Sequence, residues 1–343
     1  MSTARVRAPL IYDDDGRREY YEVVDPLVSA RFERSSVVLT RNEFIDQQEG
    51  RTSSAAPIWG ARANICPGEA FSEQPGAAFC SGVLLDWDLV LTAGHCVHLF
   101  ALSQFSVVFG YYYRESTELN PNQSVATPVE IVAEALDPEG VEPRLDYAWL
   151  RLARPVGSPY APAPVYSKPA ALAAGDGFTT IGAPGGVPLK FDDTGTVAVV
   201  REQRDFFTGR VDTSVGWSGG AAYDTNLVLL GILSRGGQDY VATPEGCNLV
   251  VHASSAEPAD EQFTYGNRAV DALCAKQPTR ALCRAECDPF CELKKEPTSV
   301  AKVEGGCAVA AAHTDSDARA QLIALAVLAM GCAVRRNYRT VKP

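Results

Sequence analysis

The chain has no surplus of basic residues. It carries 31 Lys and Arg against 42 Asp and Glu over 343 residues, a formal charge of −11 with a pI near 5.0. That deficit removes the clustered positive footprint that nucleic acid demands. Apolar length is short too. The tail run Leu322 to Val334, ahead of Arg335-Arg336, holds 13 residues, fewer than the roughly 20 that span a bilayer as a helix. Met1 to Tyr20 contains Arg5, Arg7 and Asp13-Asp14-Asp15 and no apolar core of a secretory leader. A sustained 3.6-residue apolar period is missing before about residue 266. Histidine is sparse: any mechanism that needs imidazole must draw on His95, His98, His252 or His313.

What is present fits a globular protein. Hydrophobic residues make up 46% and charged residues 21%, enough apolar surface to build a core. Ten cysteines form an even count that suits disulfides in an oxidising compartment, hence an extracellular, periplasmic or cell-surface location. The N-terminus disagrees, which leaves open a truncated or misassigned start or another export route.

The texture is that of a β protein. Residues 1–35 read as a polar, irregular extension with a turn at Asp25-Pro26. Short β-branched or aromatic runs follow at Ser36–Thr40, Gly82–Leu85, Leu89–Thr92, Phe105–Tyr113 and Ala148–Leu152. They resume at Phe178–Ile181, Gly195–Val200, Phe206–Val211 and Leu227–Leu233, with Gly, Pro, Asn and Asp between them. Many short strands without alternating helices predict a sandwich or barrel, not a βαβ fold. Four prolines between 155 and 164 bar a central strand there and mark a connector between two halves. A helix is expected over 267–283.

A serine hydroxyl becomes nucleophilic only when an imidazole takes its proton and an acid fixes that imidazole. Three segments offer these groups: Leu91-Thr92-Ala93-Gly94-His95-Cys96, Asp146-Tyr147-Ala148-Trp149-Leu150-Arg151-Leu152, and Asp212-Thr213-Ser214-Val215-Gly216-Trp217-Ser218-Gly219-Gly220. Each residue alone has a bland reading, as a surface histidine, a strand-initiating aspartate or a loop serine. Together, in this order, the segments resemble the trypsin-like, chymotrypsin-fold serine peptidases. Ile181-Gly182-Ala183-Pro184-Gly185-Gly186-Val187-Pro188-Leu189-Lys190 and Asp212-Thr213 look like the bacterial glutamyl-endopeptidase branch. Similarity runs from about Ser36 to Tyr240.

The resemblance implies an all-β fold of two six-stranded antiparallel β-barrels, with a C-terminal helix and a Cys-rich tail. The peptidase domain would cover 36–272, with barrel 1 at about 36–153 and barrel 2 at about 178–265. A Cys-rich segment at 273–305 and a short hydrophobic tail at 306–343 would follow. It also implies a triad of His95, Asp146 and Ser218, an oxyanion hole from the Gly216 and Ser218 amides, and a substrate strand with backbone pairing at Ser234 and Gly236. A disulfide between Cys80 and Cys96 would pin the loop that carries His95. No metal or organic cofactor is required, and the expected partner is a protein or peptide substrate bound by a monomer.

Specificity stays open. Asp212, six residues before Ser218, sits where a carboxylate would select Lys or Arg, although in the bacterial branch an Asp-Thr at this place, here Asp212-Thr213, recurs without that specificity; Arg235 or His252 near the pocket would favour Glu. The run Cys274, Cys283, Cys287, Cys291 reads as local disulfides, because zinc sites pair their Cys-x2-4-Cys units. Cys66 and Cys247 are candidates for a further bridge. The tail from Gly306-Cys307 resembles the C-terminal sorting tails of exported myxobacterial proteins, or else forms a buried terminal helix.

Trp217 stands where most relatives have Asp or Asn before the nucleophile, so activation by an ion pair to a new N-terminus is not expected. A ring there could displace the oxyanion hole, which raises a second reading: a catalytically impaired homologue acting as a binding module. A third, an α/β-hydrolase esterase, follows from Gly-x-Ser-x-Gly at Gly216–Gly220, but needs a helix directly after the serine and a His after the Asp.

Overall fold

The computed structural model describes residues 11–53, 55–254, 258–284 and 290–293. The tail, including Gly306, Cys307 and the run Leu322 to Val334, lies outside these, as does Cys287.

The first sheet follows the path β5–β4–β1–β2–β3–β7–β6. Here β1 is Ser36–Arg41, β2 Ala78–Asp86, β3 Leu89–Thr92, β4 Phe105–Phe109, β5 Ser124–Ala126, β6 Pro128–Leu136 and β7 Asp146–Leu152. The two end strands of that path are separated in sequence by Thr127 alone. One bent strand therefore pairs with β4 at its start and β7 at its finish, which brings six strands round into a barrel. Its ladder with β7 slips register near Pro128/Glu130 and Ile131/Ala133, the irregularity that lets a strand curve.

The second barrel closes outright. Its strands β8 (Gly177–Gly182), β9 (Lys190–Val200), β10 (Phe206–Arg210), β11 (Ala221–Tyr223), β12 (Leu229–Arg235) and β13 (Glu261–Tyr265) run β11–β8–β9–β10–β13–β12, and β12 pairs back to β11. The double-barrel architecture expected from the sequence is the observed one.

Period-two alternation explains both interiors and their docking. Val37 and Leu39 join Leu84, Val90, Val107 and Leu150 inside barrel 1. Their neighbours in the strands, Val38, Leu91 and Trp149, point the other way and pack with Ile181, Ala221 and Ile232 of barrel 2. Phe178, Phe207, Leu233 and Phe263 fill barrel 2 itself. Successive side chains on a strand face opposite sides, so each barrel wall feeds one core inward and shares a second with its partner.

The ends of the domain differ from expectation. Asp25-Pro26 is not a turn but a helix start: Asp25 accepts the Leu27 N–H at 2.7 Å and Pro26 opens α1 (Pro26–Arg34), the arrangement Asp at the cap and Pro at the first helical position favour. The C-terminal helix α2 spans Gly266–Lys276, shorter than 267–283, because Pro278 follows closely and a helix seldom continues up to a proline. Trp149 Nε1 donates to Ala269 O at 2.7 Å, fastening this helix to barrel 1. Disulfides join Cys66–Cys247, Cys80–Cys96 and Cys274–Cys283.

Residues 11–22 are an ordered strap. Arg18 and Glu19 pair with Phe191 and Lys190 of β9, and the Glu19 carboxylate meets the buried Lys190 ammonium at 3.2 Å. Lys190 also donates to Gln74 Oε1 at 2.9 Å and Pro188 O at 2.6 Å, so the buried cation has acceptors on three sides. Even so, burial lowers its pKa to about 8.

Candidate active site

Register brings His95 and Asp146 together. Thr92 lies opposite Ala148 in the antiparallel β3–β7 pair, so the turn Gly94–His98 that follows β3 returns over the first residue of β7. The Asp146 carboxylate, 1% exposed, takes the His95 backbone N–H on Oδ1 at 3.1 Å and faces His95 Nδ1 from Oδ2 at 3.0 Å. A carboxylate only accepts, so Nδ1 carries the proton and Nε2 is left as a base. The Cys80–Cys96 disulfide ties the next residue to β2. Cys80, His95 and Cys96 also form a cluster of metal-type ligands, but both sulfurs are spent in that bond.

Ser218 and His95 line one cleft of about 740 Å³. No hydrogen bond joins the Ser218 hydroxyl to the His95 ring among the described residues. Such bonds are commonly long before substrate binds.

The serine loop is held from barrel 1. Ser81 Oγ donates to Gly216 O at 2.9 Å, Ser81 N to Ser218 O at 2.8 Å, and Thr92 Oγ1 steadies Ser81 O at 2.7 Å. Ser81 was not singled out from the sequence, although it stands between Cys80 and Gly82. Only the crossing between barrels reveals what it holds. Gly216 has φ +94°, and a Cβ there would fall 2.5 Å from Ala183 O, so a side chain is excluded. Its N–H and that of Ser218 donate to no protein acceptor among the described residues. Two unpaired, adjacent donors can receive a developing oxyanion.

Trp217 does not enter that space. Its ring is fully buried with Phe178, Phe207 and Phe263 inside barrel 2, and Nε1 donates to Thr180 Oγ1 at 3.1 Å. Gly182 makes room: a Cβ there would lie 2.2 Å from the indole. The feared displacement of the amides is therefore not seen. Trp217→Asn is expected to destabilise the protein by about 3–5 kcal/mol, the cost of emptying a Trp site. Urea unfolding checks it, and a change below about 1 kcal/mol would contradict the packing argument.

Thr213, Ser234, Arg235 and Gly236 all line the cleft. Asp212 does not. It is 2% exposed, and its two carboxylate oxygens accept the Tyr12 and Gly16 amides at 2.7 and 2.6 Å. The residue expected at the pocket base instead anchors the N-terminal strap. His252 is exposed, on a strand paired with Ile11, and is absent from the cleft wall. Arg235 donates to Asp137 O at 2.7 Å and stands 3.8 Å from Asp146 Oδ2, so it leans toward the acid of the pair. Glu261, Asp239 and Asp260, unnoticed in the sequence, also line the cleft. A second, apolar cleft of about 400 Å³, lined by Phe44, Phe79, Leu99 and Phe100, meets the first at Val215.

Burial pushes three carboxyls of this region up, Asp212 to about 7, Asp239 to about 6 and Glu261 to about 8. The folded chain thus keeps protons that the unfolded chain releases in the ordinary carboxylate range, and stability rises as pH falls from about 8 toward 5. The lowered Lys190 acts only above about 8. Thermal unfolding is expected to show a higher Tm at pH 5.5 than at pH 8.5. A falling Tm would contradict the shifts.

Residues 80–232 match the family described as the trypsin-like peptidase domain. Among solved structures, a human heparin binding protein is 16% identical, covering 78% of this chain and 98% of its own with a TM-score of 0.48. A Glu endopeptidase is 18% identical, covering 79% and 100%, with a TM-score of 0.46. No curated protein sequence matches the chain.

Proposed function

Since residues 80–232 match the family described as the trypsin-like peptidase domain, we propose that the chain is a serine endopeptidase using His95, Asp146 and Ser218. The observation that carries this is His95, paired with the buried Asp146, opening onto the same cleft as Ser218, whose N–H and that of Gly216 are without a partner among the described residues. In the reaction, Ser218 Oγ attacks the peptide carbonyl carbon while its proton passes to His95 Nε2. The carbonyl oxygen, now an anion, is received by the Gly216 and Ser218 N–H groups. Collapse expels the amine, which leaves with the proton from Nε2, and an acyl ester remains on Ser218. Water, deprotonated by the same imidazole, releases the acid and restores the hydroxyl. Asp146 holds the tautomer throughout and needs no metal or organic cofactor to do so. The disulfides suit work outside the cytosol.

The binding-module reading loses its motive with Trp217 buried away from the amides. The esterase reading fails on the fold: strand β11, not a helix, follows Ser218, and both His95 and Asp146 precede it. Incubation with a mixed peptide library, read by mass spectrometry, tests the proposal. Cleavage at internal bonds that stops after a serine-directed inhibitor supports it. A folded sample that cleaves nothing would return the binding module to first place.

A further inference from the structure

We propose that the cleft beside Ser218 selects a lysine or arginine side chain on the residue before the cleaved bond, and that Glu261 is the anion that selects it; this rests on the peptidase reading above. Glu261 begins β13 and is 3% exposed. Its Oε2 accepts the Thr213 hydroxyl at 2.7 Å, and the Gly237 backbone supplies a further bond. Among the described residues no Lys, Arg or His forms an ion pair with it. Retaining a buried carboxylate without a counter-ion is costly, and a cationic substrate group would supply the missing partner.

The wall in front of it is open for that purpose. Gly236 is exposed and lines the cleft, and a Cβ there would stand 2.6 Å from Glu261 Oε2. Glycine therefore leaves the carboxylate uncovered where any other residue would crowd it. Asp239 and Asp260 line the same cleft. Ser214, 5% exposed with its hydroxyl unpartnered, does too, and offers an acceptor for a second N–H.

Of the cleft's own cations, Arg235 is engaged with Asp137 O and Asp146, and Arg144 also lines the cleft. Asp212 has no free oxygen to offer. A glutamate side chain would meet three carboxylates, an arrangement of like charges that disfavours binding. Burial, with Asp239 and Asp260 nearby, raises Glu261 to about 8, and an arriving guanidinium would reverse that.

The test uses fluorogenic peptides that differ only before the scissile bond, as Arg, Lys, Glu, Phe or Ala, with a fluorophosphonate label run on the same samples. The wild type should prefer Arg and Lys over Glu in kcat/KM by on the order of 100-fold or more, and Glu261→Gln should collapse the Arg-to-Ala ratio by a similar factor. Should Glu261→Gln fail to fold, benzamidine must inhibit the wild type while neutral benzamide does not. Labelled wild type that prefers Glu, or apolar residues, overturns the inference and leaves the peptidase standing. So does a labelled Glu261→Gln with an unchanged ratio, or inhibition by both compounds alike. Folded wild type that neither labels nor cleaves overturns both.

Discussion

Ser218→Ala is expected to cut kcat by about 10⁶-fold, on the scale known for loss of a triad nucleophile, with the fold unchanged. Among the described residues the hydroxyl makes no hydrogen bond, and the loop is held by backbone groups: Ser81 N on Ser218 O at 2.8 Å and Gly219 N on Leu233 O at 2.7 Å. Removing one oxygen atom from a half-exposed side chain therefore leaves the packing alone. Tm should move by no more than a degree or two, and peptide affinity should persist. If Ser218→Ala retained more than about 1% of wild-type kcat, the residue would not be the nucleophile.

Asp146→Asn is expected to lower kcat by about 10⁴-fold at neutral pH. Oδ1 already holds the His95 backbone N–H and Oδ2 faces Nδ1 at 3.0 Å. An amide nitrogen in the second position would donate to Nδ1, moving the ring proton to Nε2 and leaving no base toward Ser218. The Arg235 guanidinium, 3.8 Å from Oδ2, would then face an uncharged amide, and its bond to Asp137 O would remain. A readout of kcat against pH separates this from simple unfolding: a wrong tautomer leaves KM little changed. A loss below tenfold would argue that Asp146 only supports the loop.

Much of this was legible in the chain because period-two patterning is local. Ser36–Thr40, Leu89–Thr92 and Ala148–Leu152 advertise strands by their own residues, and the segments bearing His95, Asp146 and Ser218 each announce a loop or strand end. What escaped was set by contacts distant in sequence. Asp25-Pro26 reads equally as a turn or as a helix start until the packing of Val28 and Phe32 decides. Asp212 looked like a pocket residue because its distance from Ser218 is a matter of counting, whereas its hydrogen bonds go to Tyr12 and Gly16, about 200 residues earlier. Trp217 threatened the oxyanion site only so long as the space beside Gly182 was unseen. Glu261 gave no signal, since a lone glutamate ahead of Phe263 is ordinary strand punctuation until β13 pairs with β12 beside the cleft.

The N-terminal strap bears on how the site is kept in order. In trypsin-like enzymes with Asp before the serine, the resemblance implies an ion pair to a newly cut N-terminus. In this chain Trp217 stands at that place, Asp212 is bound by the Tyr12 and Gly16 amides, and Glu19 reaches Lys190. The strap thus ties residues 11–22 to β9 and to the segment leading into Ser218.

The most direct measurement is the site and stoichiometry of fluorophosphonate labelling. One phosphonyl group per folded chain, mapped by mass spectrometry to Ser218 and lost in His95→Ala, is the predicted result. Labelling at another residue, or equal labelling when His95 is removed, would contradict the claim that imidazole 95 activates hydroxyl 218.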